Sequence, residues 1–160
     1  MNASEVEIVE FPETRVAALR HFGPRYRLHE TLQRFIEWRI ENSIGPKQGR
    51  TFALHYTDPQ KKNDPNFCMD ISVSVPEPVK ENHWGVRTMT LPAGLCAKIS
   101  HKGQRDDIPE ATYLAKDWLP DSGYLLRTNC PFIFHYLNIG PLEAGQPLLT
   151  DLYLPIRKPD

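Results

Sequence analysis

The sequence predicts an α+β fold: a tandem repeat of two strand–helix–strand–strand modules, with antiparallel sheets, helices packed on them and a pseudo-twofold relation between the halves. Three observations carry this. The chain repeats itself at an interval of 80 residues: Phe11-Pro12 falls on Leu91-Pro92, His21 on His101, Gly23 on Gly103, Trp38 on Trp118 and His55-Tyr56 on His135-Tyr136. Each half holds one stretch of helical periodicity, and each stretch is followed by runs that alternate as strands do. A period of 80 residues also exceeds the ~20–50 of solenoids and propeller blades. The expected organisation is a single domain over 1–160, with module one at 1–76, a connector at 77–85 and module two at 86–160.

In module one, Val6, Ile8 and Phe11 form a short strand that stops at Pro12. Arg15 to Phe22 is a second strand, closed by the turn signal Gly23-Pro24. From Arg25 to Ser43 the pattern changes: Leu28, Leu32, Phe35, Ile36 and Ile40 recur at helical spacing, and Gly45-Pro46 ends the helix. Thr51 to Thr57 and Phe67 to Val75 are the closing strands. In the latter, Ile71, Val73 and Val75 point one way and Asp70, Ser72 and Ser74 the other. Module two repeats the order. Val86 to Leu91 and Leu95 to His101 are strands; Asp107 to Leu119 is the helix, with Ile108, Ala111, Ala115 and Trp118 as its apolar stripe; Phe132 to Asn138 and Leu148 to Ile156 close it. Pro109 suits a first helical turn. Pro76 aligns with Pro155, an interval of 79, which predicts the loss of one residue near the end. On that alignment Leu54, Ser72 and Ser74 stand opposite Phe134, Asp151 and Tyr153, so that only the second half acquires acidic and aromatic side chains.

Composition narrows the function classes. Nineteen basic and 20 acidic residues leave a net charge of −1, without the basic excess that a phosphate backbone demands, so direct nucleic-acid binding is not expected. No apolar run approaches the ~18 residues of a membrane span, and the polar Met1 to Glu5 segment is unlike a secretory signal. Cys68, Cys96 and Cys130 are odd in number and widely spaced, which fits reduced thiols in a cytoplasmic protein. The six histidines and three cysteines show no metal-ligand spacing, and no glycine-rich phosphate loop or GxSxG is present, so neither metal nor cofactor is expected.

The polar faces of the last strands are where chemistry is expected. Asp151 and Tyr153 share one face of the final strand, and Phe132, Phe134 and Tyr136 share one face of the strand before it. If these faces coincide, a carboxylate sits in an aromatic wall, a pocket for an amphipathic or cationic organic molecule. The alternative is that the aromatics are core and Asp151 caps a solvent face. Trp38, Trp118, His55 and His135 read as packing residues.

Several stretches, taken in order, resemble the GyrI-like small-molecule-binding family, which includes stand-alone gyrase inhibitors and effector-binding domains of transcriptional regulators. They are His21-Phe22-Gly23-Pro24, Trp38, Tyr56-Thr57-Asp58-Pro59, Cys68-Met69-Asp70 and Val73-Ser74-Val75-Pro76 in the first half. In the second half they are Leu91-Pro92-Ala93-Gly94, Trp118-Leu119, Tyr136-Leu137-Asn138 and Asp151-Leu152-Tyr153-Leu154-Pro155-Ile156. The resemblance implies ligand capture in the groove between modules, with Tyr56, Phe134, Tyr136, Asp151, Tyr153 and Trp118 as the candidate lining. It also implies an acid two residues before Tyr136, where this chain has Phe134. That departure favours neutral or less basic ligands unless Asp151 supplies the charge, and it weakens a hydrolytic reading, for which Asp151 is the sole nominee. The expected partner is an amphipathic small molecule; DNA gyrase is the alternative partner, and hydrolysis of a reactive small molecule the third reading.

Overall fold

A computed structural model describes residues 1–160. Strands β1 (Glu7–Phe11) and β2 (Thr14–Phe22) lead through a 3-10 turn (Arg25–Arg27) into helix α1 (Leu28–Glu41), followed by β3 (Thr51–His55) and β4 (Cys68–Ser74). β5 (Arg87–Leu91) and β6 (Gly94–Lys102) then lead into helix α2 (residues 109–121). This helix starts as α at Pro109–Thr112, widens to a π segment at Tyr113–Trp118 and ends in an α turn at Leu119–Asp121. β7 (Leu125–Leu126), β8 (Phe132–Tyr136) and β9 (Leu149–Arg157) complete the chain, and residues 77–85 contain no helix or strand. The fold is α+β, with one antiparallel sheet and two helices, as the periodicities require.

The sheet runs β1-β6-β9-β8-β3-β4-β2-β5, and β7 adds to β9. The opening strand of each half is exchanged: β1 pairs with β6, and β5 pairs with β2. At the centre β3 and β8 join the halves, from Thr51 opposite Tyr136 to His55 opposite Phe132. Read from either end, the order is the same once each strand is replaced by its counterpart in the other half. None of this exchange is readable from the alternation of side chains, which says which residues share a face but not which strand lies alongside.

Strand pleating divides the side chains between two faces. One face carries Leu19, Ala53, Ile71, Ile99, Phe134 and Leu152, and with Phe35 and Trp38 of α1 and Ala111 and Leu114 of α2 it forms the main core. The other face carries Val16, Phe52, Leu54, Leu91, Cys96 and Ile133 in a second buried cluster. The sheet curls around that second cluster. β1 and β3 are separated by three strands, yet the Phe11 and Phe52 ring centroids lie 6.2 Å apart.

Two expectations about packing are corrected. The buried stripe of α1 is Thr31, Phe35, Trp38 and Arg39, while Ile36 and Ile40 face outward. Arg39 is tolerated inside because its guanidinium donates to the carbonyls of Ile44 and Gly45 and to the Thr51 hydroxyl. The repeat interval is also not 79 at the end. Leu19 faces Ile71 and Ile99 faces Leu152, so strands related by 80 residues are opposed by residues related by 81. One residue is gained, between β6 and β8, rather than lost near the terminus. The π segment of α2 lies within that interval.

Candidate functional site

The corrected register decides which candidate residues meet. Ile133 pairs with Tyr153 and His135 with Asp151, whereas Phe134 pairs with Leu152 and Tyr136 with Thr150. Asp151 and Tyr153 therefore lie on the inner, helix-free face, and Phe132, Phe134 and Tyr136 lie on the helix face. The carboxylate and the aromatic wall are on opposite sides of the sheet. Trp118 stacks on Tyr124 at 6.2 Å and packs against the core.

The register also replaces the expected asymmetry. Asp70 faces Arg20 as Asp151 faces Ser100, so Asp70, and not Ser72, is the counterpart of Asp151. Asp70 is fully buried and accepts from Arg20 at 3.1 Å on both oxygens, from Arg87 Nη2 at 2.7 Å and from the Tyr56 hydroxyl at 2.7 Å. Burial alone would raise its pKa, but these donors outweigh it and hold the carboxyl below the usual carboxylate range. Burial and the bond to Asp70 push the Tyr56 phenol up, and the same carboxylate raises Arg20. Asp151 has lighter company: it accepts from the Ser100 hydroxyl at 2.7 Å and lies 3.7 Å from Lys98 Nζ. Lys98 also sits 5.9 Å from the Tyr153 ring centroid. Both acids are thus occupied by neighbouring side chains of the sheet.

On the helix face, a cavity of about 600 Å³ opens between α2, the segment after β3 and the segment before β8. Ala111, Ala115 and Leu119 of α2 supply one wall, Phe132 and Leu154 the floor, and Tyr56 to Pro59 and Arg127 to Cys130 the rim. The small alanines on α2 leave the room that larger residues would fill. A second, enclosed space of about 60 Å³ lies deeper, where Phe134 and Tyr136 meet His55, Phe67, Arg25 and Arg105; His55 and Pro59 border both. Tyr56 borders the larger cavity while its hydroxyl is committed to Asp70.

Two buried side-chain polar atoms in the molecule have no hydrogen-bond partner, His55 Nδ1 and Arg127 Nε, and both residues line the larger cavity. An unsatisfied buried polar group costs ~1–3 kcal/mol, so finding both at one cavity is informative. His55 packs 4.4 Å from Phe134, and burial, helped by the nearby Arg25 charge, lowers its pKa to about 3. It is a neutral imidazole with free hydrogen-bonding capacity. The guanidinium of Arg127 lies across the backbone at Gly94, donating to the carbonyls of Ala93 and Leu95. A Cβ added at Gly94 would meet Arg127 Nη1 at 2.5 Å, which is why this position has none. Of the acids, only Asp58 borders the cavity, and it is paired with Lys116 at 3.3 Å.

The sequence reads His55 as a packing residue and singles out none of Arg25, Arg105 and Arg127. A lone histidine in an apolar strand is the one signal that was available. Arg25 opens the 3-10 turn before α1, and Arg105 and Arg127 lie outside the helices and strands, where side-chain periodicity gives no signal. No group of side chains suited to hold a metal ion is present.

Comparison with known proteins agrees with this architecture. The family model described as "GyrI-like small molecule binding domain" matches residues 4–157. The chain is 36% identical over 154 residues to the probable transcriptional regulator YgiV of Escherichia coli K12, covering 95% of this chain and 96% of that protein. It is 27% identical over 158 residues to a DNA gyrase inhibitor of Erwinia billingiae, covering 96% and 97%. Among solved structures, the C-terminal domain of EcmrR superposes with a TM-score of 0.74 at 21% identity, covering 96% of this chain and 97% of that one.

Proposed function

Because this chain belongs to the GyrI-like small molecule binding family, we propose that it captures an amphipathic aromatic molecule in the helix-face cavity beside α2. The observation that carries the reading is a space of about 600 Å³ with apolar walls and two partnerless buried nitrogens. Ligand sites of ~300–1,000 Å³ are mostly apolar with a few placed polar groups. His55 and Arg127 are such groups, and Phe132, Ala111, Ala115 and Leu119 supply contact area. Deeper in, Phe134 and Tyr136 back the site through His55, while Asp151, Tyr153 and Trp118 lie outside it. Three free thiols, at Cys68, Cys96 and Cys130, fit action in the reducing cytoplasm.

The test is fluorescence titration with N-phenyl-1-naphthylamine, a neutral aromatic probe, against the wild type and Ala115→Trp. The indole of the variant obstructs the cavity beside α2, so the saturable enhancement of the wild type should be strongly weakened while the circular dichroism spectrum is unchanged. Equal titrations for the two proteins would place the ligand elsewhere.

A second reading, action on DNA gyrase, rests on the name of the Erwinia relative. Supercoiling by purified gyrase, measured with a several-fold excess of this protein, decides it: undiminished supercoiling ends that reading.

A further inference from the structure

Taking small-molecule binding on the helix face as its premise, we infer that the ligand is an aromatic organic anion, of the carboxylate or sulfonate class, and not a lipophilic cation. The chain as a whole is balanced, with a net charge of −1, but the groups around the two adjoining cavities are not. Arg25, Arg105, Lys116 and Arg127 border them, against the single acid Asp58. Asp58 is taken by Lys116. Each of the three arginines donates to neutral oxygens. Arg25 reaches the Pro59 carbonyl at 2.8 Å, and Arg105 reaches the Thr150 hydroxyl and the Leu149 carbonyl, both at 2.8 Å. Arg127 reaches the Ala93 and Leu95 carbonyls at 3.2 and 3.0 Å. The acids that pair with arginines in this molecule, Asp70 and Glu30, hold Arg20, Arg87 and Arg27 instead.

Three guanidinium charges therefore border two adjoining spaces, Arg127 the larger and Arg25 and Arg105 the smaller, with no free carboxylate to neutralise them. In the smaller space two lie over aromatic rings, Arg25 at 4.8 Å from the Phe67 centroid and Arg105 at 4.4 Å from the Tyr136 centroid. Those ring faces, which would otherwise receive a cationic ligand, are already occupied by cations of the protein. The position where the family resemblance implies an acid carries Phe134, and the acids Asp70 and Asp151 lie across the sheet, screened by their own partners. Arg127 lines the larger cavity, and its buried Nε has no hydrogen-bond partner within the protein.

A matched probe pair tests this. The compound 8-anilinonaphthalene-1-sulfonate has the rings of N-phenyl-1-naphthylamine plus one sulfonate, so the ratio of their dissociation constants isolates the charge. The sulfonate should bind at least about tenfold more tightly at low salt, with the preference shrinking as ionic strength rises. Tetraphenylphosphonium should fail to displace either probe. Arg127→Met should weaken the sulfonate several-fold more than it weakens the neutral probe; an equal loss for both overturns the charge assignment. If that variant does not fold, Arg25→Met carries the same expectation. Equal binding of the two naphthalenes, or displacement of both by the phosphonium, overturns the charge assignment and leaves the proposed function standing. Binding by none of the three probes overturns both.

Discussion

Asp70 and Asp151 occupy corresponding places in the two halves, each on the inner face of the curled sheet and each opposite a residue of its module's second strand. One is sealed beneath two arginines and a tyrosine; the other keeps a serine and a more distant lysine. The difference follows from the facing residues, Arg20 against Ser100, and from Arg87, which the exchanged strand β5 delivers to module one. Neither acid reaches the helix-face cavity. The comparison teaches that an acid conspicuous in a strand pattern can be a structural strut; on the function proposed above, the charge that meets a ligand lies on the other side of the sheet.

Removing the strut should have the largest effect. Asp70→Asn leaves two guanidiniums facing a neutral amide. Because their side chains are 46% and 40% exposed and can turn to water, the expected cost is about 2–3 kcal/mol, below the 3–5 of a wholly buried pair. Urea denaturation measures it, and a cost under half of that would show the cluster to be ornamental. Next comes pH. His55 is buried neutral, with its pKa lowered to about 3, so the unfolded chain takes up protons that the folded one refuses. Stability should therefore fall as pH drops from ~6.5 toward 3, by up to about 1.4 kcal/mol per unit, and His55→Leu should flatten that slope. Asp70 acts in a lower window. Its contribution is present above the unfolded carboxylate pKa and is lost as pH falls through its depressed folded value, so Asp70→Asn should leave the slope above pH ~5 intact. Tyr56→Phe removes one donor to the buried carboxylate and should cost about 1–2 kcal/mol by the same denaturation assay. Asp151→Asn should cost less than about 1 kcal/mol, since Ser100 can still donate to the amide oxygen. If Asp151→Asn matched Asp70→Asn, the contrast between the halves would collapse.

Much of the fold was legible in the chain. Alternation placed Ile71 and Val73 against Asp70 and Ser72, and the helical spacing located α1 and α2 to within a few residues. Proline and glycine marked where β1, β2 and α1 end. The site was legible only in part. Tyr56, Phe134 and Tyr136 do border cavities, but Asp151 and Tyr153 lie across the sheet from Phe134 and Tyr136, and the Tyr56 hydroxyl turns to the inner face at Asp70. The histidines show the cause. His55 and His135 align at an interval of 80, yet the inserted residue turns His135 to the inner face against Phe52 while His55 faces the helices against Phe134. Side chains alternate with a period of two, so a shift of one residue exchanges every inner position for an outer one.

By itself, then, the sequence determined the main elements, their order, the class of fold and the apolar faces of the long strands, because these depend on periodicities within a dozen neighbouring residues. Only the tertiary structure decided that β1 and β5 change partners, that the acids lie across the sheet from the aromatic wall, and that Arg25, Arg105 and Arg127 gather around His55. Those outcomes rest on strand pairing and on one extra residue between β6 and β8. Both are long-range choices, settled by how two buried faces close over each other rather than by any local pattern.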